Sequence, residues 1–337
     1  MIHSVRQDPG ASITEAHLLF RRHQSFVLTT HVNPDGDGLG SEIALSAWLS
    51  SRGKQVTILN HNETPSVYRF LDPENRIFRY DPSAHEALIR NADVIVVLDT
   101  NHPGRLSSLT GAVVGSPARK ICIDHHLDPA RFADLYVLDA GSTSTGEIVY
   151  RLLDADPDGA KITPSIASAL YCAIMTDTGS FRYSNVDPDI HRIVAHLLEC
   201  GADPTAIYRE VYEQWTAGRI QLLGETLASL RVEHHGLLAH VSVDQGMLQR
   251  TGTQEADTDN FTIYPMSVDG IIVGILFLEL KSGVKMSLRS RGDIPINELA
   301  KEFGGNGHKN AAGARVDGIS LEDFRKKVLI AAEKYLS

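Results

Sequence analysis

The sequence predicts an α/β protein with a doubly wound, mainly parallel sheet in its N-terminal part and a smaller α/β domain in its C-terminal part. Two observations predict this fold class. Residues 1–140 repeat a Val- and Ile-rich run, a turn and a segment of helical period, and such continuous apolar runs are typical of strands that a parallel sheet buries on both faces. Short strand patterns return after residue 231, and the 337 residues suffice for about two domains.

Five strands are expected in the N-terminal part. They are FVLTT, QVTIL, DVIVVLD, KICID and YVLD, at residues 26–30, 55–59, 93–99, 120–124 and 136–139. The pattern then becomes helical, with i, i+3, i+4 apolar spacing in segments 166–175, 190–199 and 220–230. Gly201 is expected to end the second of these helices.

The C-terminal part is expected to contain the strands LLAHVSV, IIVGILFLEL and KMSLRS, the helix INELAKEF and a terminal helix from about Leu321. The sequence shows neither an internal repeat nor a Pro/Ser-rich linker, so the hinge is expected in helical chain. We therefore predict a domain over residues 1–215, a helical linker over 216–230, a second domain over 231–337 and a cleft between the two domains.

Composition limits the classes of partner. A net charge of −10 disfavours a broad basic face for long duplex nucleic acid, which needs many phosphate contacts. Three cysteines without a C-x-x-C pair argue against a disulfide framework and a thiolate zinc site. The start MIHSVRQDPG lacks a secretory pattern, and the apolar run at 271–280 is too short to span a bilayer. A cytoplasmic protein without membrane contact is expected.

The densest polar motif is HVNPDGDGLGS, which places His31, Asp35 and Asp37 between a strand and a helix expected to begin near Glu42. Carboxylates with one imidazole suit Mn, Mg, Fe or Co, and the glycines would let the backbone turn tightly. A P-D-G turn with solvated aspartates explains the same segment equally well. A calcium loop does not fit, because Ala44 stands where its bidentate glutamate belongs.

Three further acidic segments follow predicted elements. Asp99 ends an apolar strand, the DHH motif at 124–126 ends another, and Asp177 ends a helix. Each alone has an ordinary explanation as a cap or the start of a loop, but the carboxyl ends of parallel strands share one edge of the sheet. Four carboxylates and two imidazoles on one rim are the ligands of a two-metal centre, and without cations the carboxylates would repel one another. The predicted ligands are His31, Asp35, Asp37, Asp99, His125 and Asp177.

The second domain has a locally basic segment, SLRSRGDIPINELAKEFGGNGHKNAAGAR. Arg289 and Arg291 alternate on a predicted strand around Ser290, so both can face one side and grip phosphate. GGNGH before an expected helix HKNAAGA is typical of an anion cradle, with His308 facing a phosphate. A glycine pair that ends a helix, followed by a packed Ala-rich turn, is the alternative.

These motifs, in this order, resemble the DHH phosphoesterase superfamily, and GGNGH resembles its DHHA1 C-terminal domain. The resemblance covers nearly the whole chain and is greatest to the short two-domain branch of oligoribonucleases (nanoRNases) and 3′-phosphoadenosine 5′-phosphate phosphatases. It implies that one Mn²⁺ is held by His31, Asp35 and Asp99 and the other by Asp37, Asp99, His125 and Asp177. Mg²⁺ and Co²⁺ are the alternative ions.

The resemblance also assigns roles to residues. Asp99, His125, His126 and Asp177 are the expected catalytic residues, with His126 as a phosphate contact or as proton donor to the leaving oxygen. The resemblance makes Arg289, Ser290 and His308 substrate contacts, and we predict Arg105, Arg291, Gly305 and Asn306 as further contacts. Asn306 departs from the consecutive glycines of the family and puts the approach of backbone to substrate in question, although Asn tolerates positive φ.

The implied function is a Mn²⁺-dependent hydrolase. It would release 5′-mononucleotides from short oligoribonucleotides, including linear di-adenylate, and convert 3′-phosphoadenosine 5′-phosphate to AMP, with water activated by two metal ions. The resemblance also implies a homodimer. The alternatives are a manganese inorganic pyrophosphatase, disfavoured by the GGNGH segment, a RecJ-like single-strand exonuclease, for whose added nucleic-acid-binding domain the chain has no room, and a non-catalytic nucleotide-binding module.

Overall fold

The computed structural model describes residues 9–336, which divide into two units between Gln214 and Trp215. The first eight residues of the segment MIHSVRQDPG lie outside the described residues. Within the described range, none of the helices combines the length and the apolar character needed to cross a membrane. The division falls just before the segment 216–230 that we predict as a linker, and the domain limits given above stay predictions.

The first unit is a parallel sheet covered by helices. Its strands are β1 Ser25–Thr29, β2 Gln55–Asn60, β3 Ile77–Arg79, β4 Val94–Leu98, β5 Arg119–Asp124 and β6 Leu135–Leu138. Its helices are α1 Pro9–Arg22, α2 Gly36–Ser51, α3 Pro82–Asn91, α4 Thr110–Gly115, α5 Thr145–Asp154, α6 Pro164–Asp177, α7 Pro188–Glu199 and α8 Pro204–Tyr212.

All neighbouring strands of the first sheet are parallel, in the order β3-β2-β1-β4-β5-β6. The predicted doubly wound sheet is confirmed, and all five predicted strands are present within one or two residues of their expected ends. Strand β3 was not predicted because it has only three residues and its Phe78 is exposed, so it lacks a buried apolar run. The strand order reverses between β1 and β4, the place where open α/β sheets form a ligand crevice.

Strand β4 explains why its sequence is a continuous apolar run. Val94, Val96 and Leu98 belong to the core that α2, α5 and α6 cover, whereas Ile95 and Val97 belong to the core on the opposite face, against α3 and α4. Successive side chains of a strand point to opposite faces, so a strand covered on both faces needs no polar position. The first polar residue, Asp99, therefore stands where the strand leaves the sheet.

Helix α2 begins at Gly36, six residues before the start near Glu42 that the sequence predicts. The side chain of Asp35 caps it by accepting the backbone N–H groups of Asp37 and Gly38. The glycines do not form a tight turn, since Gly36, Gly38 and Gly40 are helical and lack positive φ. Small size is what the packing requires: a Cβ on Gly40 would lie 2.4 Å from the Ala169 carbonyl oxygen of α6.

The second unit contains a mixed sheet. Its strands are β7 Arg231–Glu233, β8 Leu238–Val243, β9 Val273–Glu279, β10 Gly283–Ser290, β11 Asn306–His308 and β12 Ala311–Asp317. Its helices are α9 Ala217–Ala228, α10 Gln245–Thr251, α11 Ile296–Glu302 and α12 Leu321–Ala332. The order is β11-β12-β10-β9-β8-β7, and only the β8–β9 pair is parallel within the described residues. The smaller C-terminal α/β domain is confirmed.

The predicted helix HKNAAGA is wrong, because its residues form the hairpin of β11 and β12. Alanine favours helices, but tertiary context overrides that preference here. The small residues serve close strand pairing: a Cβ on Gly305 would lie 2.1 Å from the Gly313 carbonyl oxygen. Asn306 pairs with Gly313 in this hairpin and does not have a positive φ. The helix N-terminus that the predicted anion cradle requires is therefore replaced by an edge strand.

Candidate metal centre

The first sheet gathers polar side chains at the carboxyl ends of its strands. The structure brings together all six residues predicted as metal ligands, from the ends of β1, β4, β5 and α6 and the start of α2. They form two groups of donor atoms, and a third group joins Asp99 and His125 to His126. The ligating atoms within each group lie within 4.8 Å of one another. The first group is His31, Asp35 and Asp99, and the second is Asp37, His125 and Asp177.

Asp99 faces both groups with different oxygens. Its Oδ2 lies 3.1 Å from His31 Nε2, and its Oδ1 lies 3.8 Å from His125 Nε2. Around these contacts, His31 Nε2 is 3.8 Å from Asp35, and His125 Nε2 is 3.4 Å from Asp177 and 3.8 Å from Asp37. Asp99 has a φ of +58°, a left-handed conformation that is uncommon for a residue with a side chain.

Both histidines present Nε2 to the carboxylates and hold Nδ1 against a backbone carbonyl. The Nδ1 atom of His31 lies 2.9 Å from the Val32 oxygen, and that of His125 lies 3.4 Å from the Ser142 oxygen. Imidazoles that bind metal commonly bond their second nitrogen to a carbonyl, which fixes the tautomer and the ring orientation. The cluster therefore has the donor types and the second contacts that a divalent cation requires.

The N-terminus of α5 holds Asp37 in place. The backbone N–H groups of Thr145 and Gly146 donate to the two carboxylate oxygens of Asp37 at 2.8 Å each, and the Thr145 hydroxyl donates to Asp99 at 3.1 Å. These residues were not predicted as part of the site. Ser144 followed by Glu147 matches a helix-capping pattern, and the Ser144 side chain accepts the Glu147 N–H. This pattern predicts where α5 begins but not that its N-terminus faces Asp37.

A protonated histidine offsets part of the negative charge in the first group. Burial opposes protonation of His31, but the nearby carboxylates of Asp35 and Asp99 outweigh it and raise its pKa to about 10. Burial would raise the pKa of Asp35, yet its contacts with His31 and with the N–H groups of α2 lower it overall. In the absence of a cation, a protonated His31 compensates these carboxylates.

The second group carries excess negative charge. Burial, together with the charges of Asp99, Asp177 and Asp35, raises the pKa of Asp37 well above its usual range. Burial also raises the pKa of Asp177 to about 6, although His125 opposes the shift. A divalent cation bound between these carboxyl groups would stabilise their ionised forms.

His126 has a different environment from His125. Its Nδ1 lies 2.7 Å from Asp124 Oδ1, and this hydrogen bond, with the Asp124 charge, raises the pKa of His126 although burial opposes it. The Asp124 side chain is fully buried, whereas that of His126 is 44% exposed, so Asp124 holds the imidazole from its buried side and leaves part of the ring exposed. Asp124 is the first residue of the DHH motif, but it was not predicted as a site residue.

The predicted substrate contacts lie in both units. Arg105 is half-buried in the 3₁₀ segment Pro103–Leu109, where its carbonyl accepts the Val32 N–H at 2.7 Å. In the second sheet, Arg289 of β10 is opposite Ala311 of β12, which is opposite His308 of β11. Residues directly opposite one another point to the same face, so Arg289 and His308 share a face at about two strand spacings, roughly 10 Å.

The other predicted contacts of the second unit have structural partners. The Ser290 hydroxyl donates to the Ile294 carbonyl at 2.8 Å and accepts from Asn310 at 2.9 Å. Arg291 follows the last residue of β10, and its guanidinium donates to the Met266 carbonyl at 2.6 Å. Gly305 leads into the exposed edge strand of Asn306 and His308. Ser290 and Arg291 thus also stabilise the loops around this edge.

Comparison with known proteins identifies the family to which this chain belongs. Residues 25–174 match the DHH family, N-terminal domain, and residues 248–334 match the DHHA1 domain. A bifunctional oligoribonuclease and PAP phosphatase, NrnA, from Thermus thermophilus is 33% identical over 92% of this chain and 90% of its own length. The chain belongs to the DHH family. The predicted resemblance to the DHH phosphoesterases with a DHHA1 domain is therefore confirmed.

Two further similarities extend over most of this DHH chain. The bifunctional oligoribonuclease and PAP phosphatase NrnA of Bacillus subtilis is 24% identical, with 87% of this chain and 90% of that protein covered. The crystal structure of an exopolyphosphatase-related protein from Bacteroides fragilis has a TM-score of 0.91 and 31% identity, with 99% of each chain covered. The similarity thus spans both units of the chain.

Proposed function

We propose that this DHH protein is a phosphoesterase that uses two divalent cations, with Mn²⁺ as the predicted ion, to hydrolyse short oligoribonucleotides to 5′-mononucleotides and 3′-phosphoadenosine 5′-phosphate to AMP. The observation that carries the proposal is the pair of donor groups that share Asp99 at the carboxyl edge of the sheet. The names of relatives that align over nearly the whole chain support the choice of substrates.

The residues fit two cations in number and chemistry. His31, Asp35 and Asp99 would hold one, and Asp37, Asp99, His125 and Asp177 would hold the other. Carboxylate and imidazole donors suit Mn²⁺ and related ions, and the two oxygens of Asp99 point to different groups, as a bridging ligand requires. When bound, such ions supply Lewis-acid stabilisation of phosphoryl oxygens and lower the pKa of water.

The surrounding residues keep these ligands in position. The N–H groups of Thr145 and Gly146 fix both oxygens of Asp37, and the Thr145 hydroxyl holds Asp99. Such fixed donors need little reorganisation when a substrate binds, which is a condition for effective electrostatic catalysis. We assign Thr145 and Gly146 as positioning residues of the site.

His126 is the proposed proton donor to the leaving oxygen. Asp124 holds its Nδ1 and raises its pKa, which favours the protonated ring whose Nε2 can donate toward the exposed side. General acids are most effective when their pKa lies near the working pH. The same imidazolium would contact a phosphate oxygen before the proton is transferred.

The second unit is proposed to bind the part of the substrate that does not react. Arg289 and His308 share one face at the edge of the second sheet, with Gly305, Asn306, Ser290 and Arg291 nearby in sequence, and Arg105 is the proposed contact in the first unit. A homodimer and a cytoplasmic location stay predictions from the sequence. The pyrophosphatase alternative is not favoured, because the C-terminal part matches DHHA1.

A substrate panel tests the proposal. We expect purified protein with Mn²⁺ to release mononucleotides from di- and trinucleotides and from linear di-adenylate, and phosphate from 3′-phosphoadenosine 5′-phosphate, with loss of activity in EDTA. Pyrophosphate and a long single strand are the control substrates. A protein that cleaves pyrophosphate or the long strand preferentially, or that binds the nucleotides without turnover, would contradict the proposal.

A further inference from the structure

A buried polar chain lies beneath the candidate metal centre. Glu42 of α2 and Asn60 at the end of β2 both have an exposed fraction of 0%. The Asn60 amide donates from Nδ2 to Glu42 Oε2 at 2.8 Å, and its Oδ1 accepts the backbone N–H of Thr30 at 3.1 Å. The Thr30 hydroxyl in turn donates to the Leu98 carbonyl at 2.9 Å.

This chain ends at the residues that precede two of the proposed ligands. Thr30 comes directly before His31, and Leu98 comes directly before Asp99. The side chains of His31 and Asp99 lie 3.1 Å apart. Its three hydrogen bonds connect α2 to β2, β2 to the end of β1, and the end of β1 to the end of β4. A shift of Thr30 would move His31 relative to Asp99.

Glu42 sets the orientation of the Asn60 amide. An amide can point either its oxygen or its NH₂ group at Thr30, but only the oxygen can accept the Thr30 N–H. The carboxyl of Glu42 accepts from Nδ2 and so keeps Oδ1 on the Thr30 side. Without that acceptor, the amide could rotate and place a donor against a donor, which costs free energy in a buried site.

A role in tying α2 to the sheet does not account for all of these features. Glu42 Oε1 is buried without a hydrogen-bond partner among the described residues. Burial raises the pKa of Glu42 to about 8, with Asn60 and His31 opposing the shift and Asp99 supporting it. An apolar residue would pack here at less cost, so a buried carboxyl whose hydrogen-bond chain ends beside His31 and Asp99 points to a role in the site.

We propose that Glu42 and Asn60 are positioning residues that hold the His31 corner of the metal centre in register with Asp99. This inference rests on the proposed metal binding. Partners behind metal ligands typically change metal affinity by 10- to 100-fold when they are removed. The pair is thus expected to determine how tightly the centre holds its cation, without contact to the substrate.

The test measures Mn²⁺ affinity by titration calorimetry and, separately, the melting temperature in EDTA. Glu42→Leu and Asn60→Leu are each expected to weaken Mn²⁺ binding at least about tenfold. Glu42→Gln keeps an oxygen that can accept from Asn60 and is expected to bind Mn²⁺ within about twofold of the wild type, because hydrogen-bond partners are conserved.

The double variant Glu42→Leu/Asn60→Leu separates positioning from stability. The double variant removes the buried Glu42 carboxyl that Asn60→Leu alone would leave without its donor, so its melting temperature should exceed that of Asn60→Leu. Its Mn²⁺ affinity should stay as low as that of Asn60→Leu, because two residues that act in one chain are not additive. A double variant that binds Mn²⁺ like the wild type would overturn the inference, even if Glu42→Leu alone fails to fold.

Asp156→Asn provides the matched control. Asp156 is a buried carboxylate that pairs with Arg52. Arg52 is the C-cap residue of α2 and lies about 20 Å along the helix axis from Gly36. Its loss should lower the melting temperature and leave Mn²⁺ affinity unchanged. If affinity falls in step with melting temperature in all variants including this one, the inference is wrong. A wild-type protein that binds no Mn²⁺ would instead overturn the proposed function itself.

Discussion

The two sheets of the molecule collect polar side chains in different ways. In the first sheet all strands are parallel, so β1, β4 and β5 deliver His31, Asp99 and His125 to one edge although these residues are far apart in sequence. In the second sheet most pairs are antiparallel, and the predicted contacts Arg289 and His308 share a face on two strands that β12 separates. Parallel topology alone thus predicts a shared site, whereas the antiparallel sheet requires the register to be known.

The comparison predicts that the largest loss follows from a change at the parallel edge. Asp99→Asn removes the charge that both donor groups share, and we expect activity with Mn²⁺ to fall by about a thousandfold, since several kcal/mol of charge stabilisation depend on the centre. Steady-state hydrolysis of a dinucleotide measures this effect. Asp93→Asn is the control, because Asp93 precedes the same strand at its opposite end and holds the N–H groups of Gln24 and Ser25. An equal loss in Asp93→Asn would remove the distinction between the two ends.

The next effect concerns His126, which stands at the same edge. His126→Gln should lower kcat about a hundredfold, the lower range for a lost general acid. Asp124→Asn should lower the pKa of His126, because the hydrogen bond and charge of Asp124 raise it. The acid is protonated below its pKa, so the alkaline limb of the pH profile of kcat should move to lower pH in Asp124→Asn. An unmoved limb would contradict the role of His126.

In the second sheet, a smaller effect on binding is expected. Arg289→Ala should raise KM for a trinucleotide about tenfold, corresponding to about 1.4 kcal/mol, and change kcat little. Arg231→Ala is the control, since Arg231 is an exposed arginine of β7, the strand at the opposite edge of the same sheet. Equal changes in KM for both variants would indicate a general effect of charge instead of a contact at one edge.

The last effect is on stability and not on activity, and it contrasts two buried histidines. Burial and the charges of Arg325 and Arg231 lower the pKa of His240 in β8 to about 4, whereas the pKa of His31 is raised. The unfolded chain takes up its proton near pH 6.5 and folded His240 only near pH 4, so protonation favours the unfolded state. Stability should fall by about 2 kcal/mol as pH drops from 6.5 to 4.

Urea unfolding at several pH values measures this dependence. His240→Leu should flatten it, and His235→Gln should leave it unchanged, because His235 is exposed in the same unit. A His240→Leu protein with the wild-type slope would show that other groups dominate. His31 has the opposite sign: in protein kept free of cations, its contribution is complete below pH 6.5 and is lost as pH rises toward 10.

Much of the first unit could be predicted because short sequence patterns indicate both its strands and the edge of the sheet at which distant residues meet. Apolar runs identify strands, and polar residues at their ends identify the edge, so the six proposed ligands were found without coordinates. The N-terminal groups of α5 were missed, since nothing in the segment STSTGE shows that its amides face Asp37. Glu42 and Asn60 were missed for a similar reason: each is an ordinary polar residue until the fold places the two in contact.

Local composition was misleading where close packing decides the structure. The glycines of GDGLG predicted a turn, but they allow α2 to approach α6. The alanines of HKNAAGA predicted a helix, but they fit a narrow hairpin at the edge of the second sheet. In such places the packing of the neighbouring chain, which the sequence does not reveal, overrides the local preference of small residues.

The left-handed backbone of Asp99 implies a conflict between folding and chemistry. Glycine would adopt that conformation without penalty, and holding a residue with a side chain there costs about 1 kcal/mol. The crowding of Asp99 with Asp37 adds further repulsion in the protein without cations. A glycine at this position would give a more robust but inert fold, so the aspartate is a residue that selection for stability alone would discard.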